Sequence, residues 1–181
     1  DGGWVLKVQQ QGQPITLQAD AVIVATPAQA ASRVVRTIHP RLSSDLAKIN
    51  STSCAIVSLG YRQEQVGRHL DGFGFVVPLV ENREILSGSF SSVKFVGRAP
   101  EGFVLIRTFL GGAFDPQALD RDDDSLTAIA VRELSALLGV KGEPVVKRIS
   151  RWPNVMPQYE LGHLDLVRSI ESAVEHELAG I

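Results

Sequence analysis

The sequence of 181 residues carries 18 basic and 20 acidic side chains, a formal net charge of −2, and a hydrophobic content of 44%. This balance excludes an intrinsically disordered chain and argues against a nucleic-acid-binding domain, which normally presents a strongly basic surface. The single cysteine, Cys54, excludes a disulfide framework within the chain and lies in an apolar run, which predicts a buried small hydrophobe.

The first third of the chain predicts a hairpin, a buried strand and two short helices. Segments 4–9 and 14–18 flank a turn rich in glutamine and glycine, which is typical of a β-hairpin. The run from Ala21 to Ala25 is continuously apolar, which predicts a strand buried on both faces. Pro27 then begins a short helix, and a second short helix is predicted over 40–49.

The middle of the chain predicts strands joined by glycine-rich, proline-rich and charged connections, which suit antiparallel neighbours. We predict these strands at 53–61, 72–78, 84–91 and 103–110. Side chains alternate between the two faces of the last of these strands. One face carries Phe103, Leu105, Arg107 and Phe109, and the other carries Val104, Ile106, Thr108 and Leu110. An arginine between two phenylalanines suits either an exposed rim position or a large flat ligand that carries carboxylates.

The last third of the chain predicts a helix, a strand and a final helix. Four aspartates within 120–124 precede an apolar helical stripe that ends near Gly139, and we expect them to cap this helix rather than to bind Ca²⁺. A strand is predicted over 143–151, and a helix is predicted after Pro157. The predicted fold class is therefore α+β, with a mostly antiparallel mixed sheet and flanking helices.

The residues alone indicate no catalytic motif. There is no GxSxG elbow and no P-loop, and no histidine or cysteine pair has metal-ligand spacing, so no metal site is predicted. Gly72-Phe73-Gly74 fails as a dinucleotide fingerprint, because Val77 stands where the third glycine would be. These features predict a binding domain that has no catalytic residues of its own.

Four blocks in the chain resemble the protoporphyrinogen oxidase family of the flavin amine-oxidase superfamily. The blocks are 72–78 (GFGFVVP), 89–100 (SFSSVKFVGRAP), 107–112 (RTFLGG) and 156–163 (MPQYELGH). The resemblance implies an FAD-dependent enzyme of haem biosynthesis that oxidises a porphyrinogen to a porphyrin, with protoporphyrinogen IX as its substrate. It also implies a middle-to-late fragment of such an enzyme. We expect 1–35 to be a partial FAD-binding domain, 36–153 a substrate-binding α+β domain, and 154–181 a truncated helix that returns to the FAD domain.

The resemblance implies roles for five residues at the substrate. Phe73 and Gly74 match positions that line the substrate cavity, and Val76 matches a position that sandwiches a pyrrole ring. Phe109 matches an apolar position against the macrocycle, and Arg107, on the same strand face, is expected to approach a substrate propionate. Because Phe73 and Val76 are three residues apart, the strand must turn or bulge between them if both touch substrate.

Three residues are expected at the cofactor. Trp152 matches a position near the flavin ring, while Thr26 and Pro27 close a segment that many flavoproteins share.

Ser89 departs from the family pattern, in which some relatives place a leucine against the substrate. The resemblance therefore does not define the shape of this part of the pocket. The family's main carboxylate-binding residue comes from a segment outside this chain.

The expected partners are a porphyrinogen, FAD, and molecular oxygen as the electron acceptor, with no nucleic acid. A homo-oligomer is expected, in the cytoplasm or peripheral to the membrane through a segment outside this chain. Three alternatives stay open: a coproporphyrinogen III oxidase that forms coproporphyrin, another flavin amine oxidase or desaturase, and, for the isolated fragment, an inactive ligand-binding module. The isolated fragment is expected to bind FAD weakly or not at all.

Overall fold

The computed structural model describes residues 3–178 and 180, and the chain divides into two compact units. The first unit combines Asp1–Asn50 with Pro157–Ile181, and the second is Ser51–Met156. The expected boundary after residue 35 falls inside the first unit, because the helices on either side of it pack together. The hydroxyl of Ser32 donates a 2.8 Å hydrogen bond to the carbonyl of Ser43 across that boundary. The two compact units therefore divide after Asn50 and after Met156.

The described residues form seven strands and five helices besides short 3₁₀ turns. The strands are β1 (Trp4–Gln10), β2 (Gln13–Ala19), β3 (Ser51–Arg62), β4 (Gly74–Val76), β5 (Ser87–Phe90), β6 (Phe103–Gly111) and β7 (Val146–Pro157). The helices are α1 (Ala28–Val35), α2 (Pro40–Ala47), α3 (Ser91–Lys94), α4 (Asp123–Leu138) and α5 (His163–Glu177). The α+β class is confirmed, and α3 is the one helix that the sequence pattern does not predict. Among the described helices, none is both long and apolar enough to cross a membrane.

The first unit holds the β1–β2 hairpin and a small apolar cluster among helices α1, α2 and α5. Val35, Leu42, Ala173 and Leu178 are the buried members of this cluster, and Trp4 packs against them. The imidazole of His39 accepts a 3.0 Å hydrogen bond from the N–H of Leu42, and its other ring nitrogen lies 3.0 Å from a carboxylate oxygen of Glu177. These contacts join the two ends of the chain into one unit.

The run from Ala21 to Ala25 is not a strand, so that prediction is wrong for this structure. Ile23 is 93% exposed, and the N–H of Val22 donates a 2.8 Å hydrogen bond to the carbonyl of Gly180. A continuous apolar run becomes a doubly buried strand only where neighbouring strands and covering layers surround it. No strand among residues 3–178 and 180 pairs with this run.

Asp45 is the buried carboxylate of the first unit, and it predicts a pH dependence of stability. It accepts hydrogen bonds from the amine of Lys48 at 2.6 Å and the hydroxyl of Ser169 at 2.9 Å. The bond from Lys48 is the largest influence on the pKa of Asp45; together these favourable contacts outweigh burial and lower it below its ordinary value of 3.8. Because folding lowers this pKa, Asp45 stabilises the fold above about pH 4, and the effect fades as the pH falls through the folded pKa.

We expect Asp45→Asn to reduce the free energy of unfolding by about 1 kcal/mol at pH 7, since one charge-assisted hydrogen bond is weakened. Urea unfolding of both proteins between about pH 7 and pH 2 should show the difference shrinking below about pH 4. A difference that stays constant down to about pH 2 would mean that Asp45 acts through packing and not through its charge.

The second unit is built on a five-stranded sheet in the order β4-β5-β6-β3-β7. The pairs β4–β5, β5–β6 and β6–β3 are antiparallel. At the other side of β3, the N–H of Val145 donates to the carbonyl of Gly60, and the N–H of Asn154 donates to the hydroxyl of Ser53. From the first contact to the second, residue numbers rise along β7 and fall along β3, so β7 is antiparallel to β3 as well.

One face of this sheet packs against α4 and forms the main core. Its buried members include Val57, Leu59, Tyr61, Val104, Ile106 and Leu110 from the strands and Leu126, Ala130, Leu134 and Leu138 from the helix. The carboxylate of Asp122 caps α4 by accepting a 2.6 Å hydrogen bond from the N–H of Ser125, which lowers its pKa, and Gly139 ends the helix with φ 66°. The expected capping role of the aspartate cluster is confirmed.

Candidate functional site

The opposite face of the sheet, which we call the open face, carries four of the five predicted substrate residues. Along β6 the burial alternates: Val104, Ile106, Thr108 and Leu110 are buried in the core, while Phe103, Leu105, Arg107 and Phe109 are half-buried on the open face. This is the division that the sequence alternation predicts. The open face is therefore the surface on which β6 presents its arginine and its aromatic rings.

Cross-strand pairing places the predicted residues in two neighbouring rows on the open face. The first row is Gly74, Ser89, Arg107 and Ser58, from β4 to β3. The second row is Val76, Ser87, Phe109 and Ile56. Directly opposed residues of antiparallel strands point to the same face, so Gly74, Val76, Arg107 and Phe109 line one continuous surface. Val76 is 80% exposed at the edge of that surface.

Phe73 directly precedes β4, at a point where the backbone departs from regular strand geometry. Its side chain is 67% exposed, and its carbonyl accepts a 2.9 Å hydrogen bond from the N–H of Phe90. The next residue, Gly74, has φ +152°, a value that L residues rarely adopt. This irregularity falls between Phe73 and Val76, where a turn or bulge is expected if both side chains contact one ligand.

Arg107 stacks on Phe109, with its guanidinium carbon 5.6 Å from the centre of the ring. This geometry is a cation–π contact, which holds the charge over an apolar surface instead of in bulk water. Within residues 3–178 and 180 no carboxylate forms an ion pair with Arg107 and no acceptor takes a hydrogen bond from it. A half-buried cation without an anionic partner is well suited to an anionic ligand.

Trp152 joins the open face from β7. Ile149 packs against the core, and Arg151 donates hydrogen bonds on the α4 side, to the carbonyl of Leu119 among others. Because side chains alternate along a strand, Arg148 and Trp152 lie on the opposite, open face. The indole of Trp152 is 47% exposed, so a flat apolar surface is available beside the arginine-bearing strand.

The charges of the sheet are all of one sign. The five strands of the second unit contain five cations and no aspartate or glutamate: Arg62, Arg107, Lys147, Arg148 and Arg151. Lys147 is paired with Glu143, and Arg151 is paired with Asp123, while Arg62 lies over the ring of Phe103. The sequence interpretation considered Arg107 alone and missed Arg148 and Ser58. The predicted strands 84–91 and 143–151 include Glu84 and Glu143, so the sequence pattern does not indicate the uniform charge of the sheet.

The remaining expected cofactor residues, Thr26 and Pro27, belong to the first unit. Both are exposed, and the carbonyl of Pro27 accepts hydrogen bonds from the N–H groups of Ala30 and Ala31 at the start of α1. A cavity of about 970 Å³ in this unit is lined mainly by polar side chains of α2, α5 and the segment before α5. Thr26 and Pro27 are not among the residues that line it.

Cys54 is buried, and burial raises the pKa of its thiol, although the nearby positive charge of Arg107 acts in the opposite direction. The prediction of a buried small hydrophobe is confirmed. The part of the chain that the structure describes contains no cluster of three or more side chains that could hold a metal ion. The candidate site is therefore a binding surface of aromatic, aliphatic, hydroxyl and guanidinium groups.

Comparison with solved structures identifies the fold of the chain. A protein from Exiguobacterium sp. 255-15, assigned as a protoporphyrinogen oxidase, superposes with a TM-score of 0.70 at 22% identity, over 99% of this chain and 40% of the other. A reduced UDP-galactopyranose mutase superposes with a TM-score of 0.60 at 12% identity, over 91% of this chain and 35% of the other. At these identities the likeness concerns the fold.

Sequence comparison finds relatives with two different enzyme names. Coproporphyrinogen III oxidase of Bacillus subtilis is 32% identical over 92% of this chain and 35% of the relative. Chloroplastic protoporphyrinogen oxidase of Nicotiana tabacum is 29% identical over 96% of this chain and 33% of the relative. The chain thus spans about a third of the length of these relatives, and the resemblance drawn from the four sequence blocks is confirmed. The family of flavin containing amine oxidoreductases matches residues 1–176, and the chain belongs to that family.

Proposed function

We propose that this chain provides the substrate-facing sheet of an FAD-dependent porphyrinogen oxidase in haem biosynthesis. The observation that carries the proposal is the open face, which combines Val76, Phe109 and Trp152 with an unpaired arginine and no carboxylate. A porphyrinogen is a large and largely apolar ring with carboxylates at its edge. Apolar walls and a cation at one margin match both parts of such a ligand.

The residues present fit an FAD-dependent reaction. A bound FAD would supply the acceptor for a hydride from a carbon of the macrocycle, so the protein would not need a nucleophile of its own for that step. The half-exposed indole of Trp152 offers a flat surface against which a ring system can pack. We propose contact with the cofactor for Trp152, Thr26 and Pro27, and contact with the substrate for Phe73, Gly74, Val76, Arg107 and Phe109.

On the substrate side, the open face positions and shields the ring. Phe109 and Val76 lie in one row, separated by Ser87, so they can present apolar groups along a flat ligand. Burying both against the macrocycle excludes water from the reacting edge and contributes about 25 cal/mol for each Å² of apolar surface removed from water. The residues of the open face thus act by binding and orientation, not by proton transfer.

Two substrates are candidates. The sequence blocks favour protoporphyrinogen IX, while relatives named coproporphyrinogen III oxidase, including that of Propionibacterium freudenreichii at 36% identity, favour coproporphyrinogen III. We further propose molecular oxygen as the electron acceptor and self-association into homo-oligomers. We propose a cytoplasmic enzyme that contacts the membrane peripherally through a part of the protein outside this chain.

The test is purification of the full-length protein followed by spectroscopy and assay. We expect the visible absorbance bands of bound flavin, and an increase of porphyrin fluorescence with oxygen consumption when either porphyrinogen is added. Phe109→Ala should retain flavin but raise the apparent KM about tenfold, because an apolar contact to the ring is lost. A full-length protein that is colourless and takes up no flavin would contradict the proposal.

A further inference from the structure

We propose that Arg107 and Arg148 form a carboxylate subsite on either side of Ser58, and that this subsite selects the porphyrinogen with more propionates. The inference rests on the proposed function, because it names the chemistry by which the open face distinguishes its substrates. It is carried by three observations: the position of Arg107, the position of Arg148, and the absence of acidic side chains from the strands that present them.

Arg107 is placed between two hydroxyl groups. In the register of the sheet it is directly opposite Ser89 on β5 and Ser58 on β3. Opposed side chains on one face are about 5 Å apart at Cβ, so a single carboxylate can reach a guanidinium and a neighbouring serine hydroxyl together. The stacking of the guanidinium on Phe109 orders the arginine before a ligand arrives, which reduces the entropy lost on binding.

Arg148 approaches the same point from β7. The start of β7 lies beside Gly60, because a side chain on that glycine would come within 3.1 Å of the Cβ of Val146. The strands are antiparallel, so two residues further along β7 Arg148 comes alongside the part of β3 that contains Ser58. Alternation with the core residue Ile149 places Arg148 on the open face, where it is exposed and forms no ion pair within the described chain.

The sign and spacing of these groups indicate the ligand. Two guanidinium groups flanking a hydroxyl, with no competing carboxylate on any described strand of the sheet, form a positively charged edge beside the half-buried ring of Phe109. Coproporphyrinogen has a propionate on each of its four pyrroles, whereas protoporphyrinogen has vinyl groups in place of two of them. A ring with a propionate on every pyrrole always presents one to this margin, so the subsite favours coproporphyrinogen.

The experiment measures binding of porphyrins to the full-length protein by fluorescence quenching. The probes are coproporphyrin III, protoporphyrin IX and the uncharged tetramethyl ester of coproporphyrin III. For coproporphyrin III we expect Arg107→Gln to raise Kd about tenfold and the more exposed Arg148→Gln about threefold. Arg107→Lys should recover part of the affinity, since the charge returns without the forked geometry. The Kd of the ester should not change in any variant.

Lys147→Gln is the matched control. Lys147 lies next to Arg148 on the same strand, alternates to the other face, and is paired with Glu143. Its replacement removes the same charge from the same strand, and we expect an unchanged Kd for all three probes. Thermal unfolding of each variant is measured alongside the titrations to establish that the variant is folded. If Arg107→Gln does not fold, Arg107→Lys and Arg148→Gln test the subsite.

The outcomes separate this inference from the proposed function. If the protein binds flavin and porphyrin, but folded Arg107 and Arg148 variants bind coproporphyrin III as tightly as the wild type, the subsite is wrong and the oxidase proposal stands. The same conclusion follows if the wild type binds the ester as tightly as the acid. If the wild type takes up neither flavin nor porphyrin, both proposals are wrong.

Discussion

Replacing Gly74 with alanine is expected to lower the free energy of unfolding by about 2 to 4 kcal/mol and to distort the edge of the open face. A Cβ at this position would lie 3.0 Å from the Cα of Ser89 and still closer to the carbonyl oxygen of Gly88, both of which belong to the backbone of β5. Backbone atoms cannot rotate away as a flexible side chain can. The φ of +152° adds a conformational cost for any residue with a side chain.

The structural consequence should be loss of the pairing between β4 and β5. Phe75, whose ring lies 6.0 Å from that of Phe90, would lose part of its packing as the strand moves. Urea unfolding measures the stability, and the apparent KM for porphyrinogen reports the displaced Val76. Gly72→Ala is the matched control, because its added Cβ would lie 4.0 Å from the carbonyl oxygen of Gly74, which is an ordinary contact distance. Equal free energies of unfolding for Gly74→Ala and Gly72→Ala would refute the hypothesis that β5 leaves no room for a side chain at Gly74.

Replacing Arg83 with methionine is expected to lower the free energy of unfolding by about 2 kcal/mol. Arg83 lies between β4 and β5 and donates a 3.0 Å hydrogen bond to the carboxylate of Glu133 on α4. The side chain of Glu133 is only 9% exposed, so the variant leaves a charge that water reaches poorly. The full cost of a broken buried pair is reduced here, because Arg83 is 30% exposed and Arg132 lies 4.0 Å from Glu133.

A double variant tests the physical reason. Arg83→Met combined with Glu133→Leu removes both charges and is expected to unfold at nearly the same urea concentration as the wild type. Arg168→Met is the control for loss of an arginine, since the Arg168–Asp165 pair is exposed and should contribute less than about 1 kcal/mol. A double variant less stable than Arg83→Met alone would show that Glu133 stabilises the fold without its partner.

Local patterns in the sequence predicted the parts of the fold that depend on local rules. The alternation in β6 identified its two faces, because a strand with one face in a core must place every second side chain there. The aspartates within 120–124 and Gly139 indicated the ends of α4, because a helix leaves unpaired N–H groups at its start and favours a left-handed residue after its end. The open face could therefore be predicted as far as β6 extends.

The features that escaped prediction depend on contacts between distant residues. The apolar pattern of Ala21–Ala25 indicates a strand but cannot supply the neighbours that a strand requires. The strand β7 carries Lys147, Arg148 and Arg151 on both of its faces, so its sequence does not reveal which cations face the ligand surface. The membership of α2 in the first unit follows from its packing with α5, more than a hundred residues later, which no local pattern contains.

The uniform sign of the sheet also has a consequence for the rate at which ligands arrive. Arg107 and Arg148 produce a positive potential that extends about 8 Å into solvent at physiological ionic strength before it is screened. Such a potential accelerates the encounter with anions, and it does so most for those that carry most charge. A tetracarboxylate ring would thus be captured faster as well as held more tightly, and added salt would slow its capture more than it speeds its release.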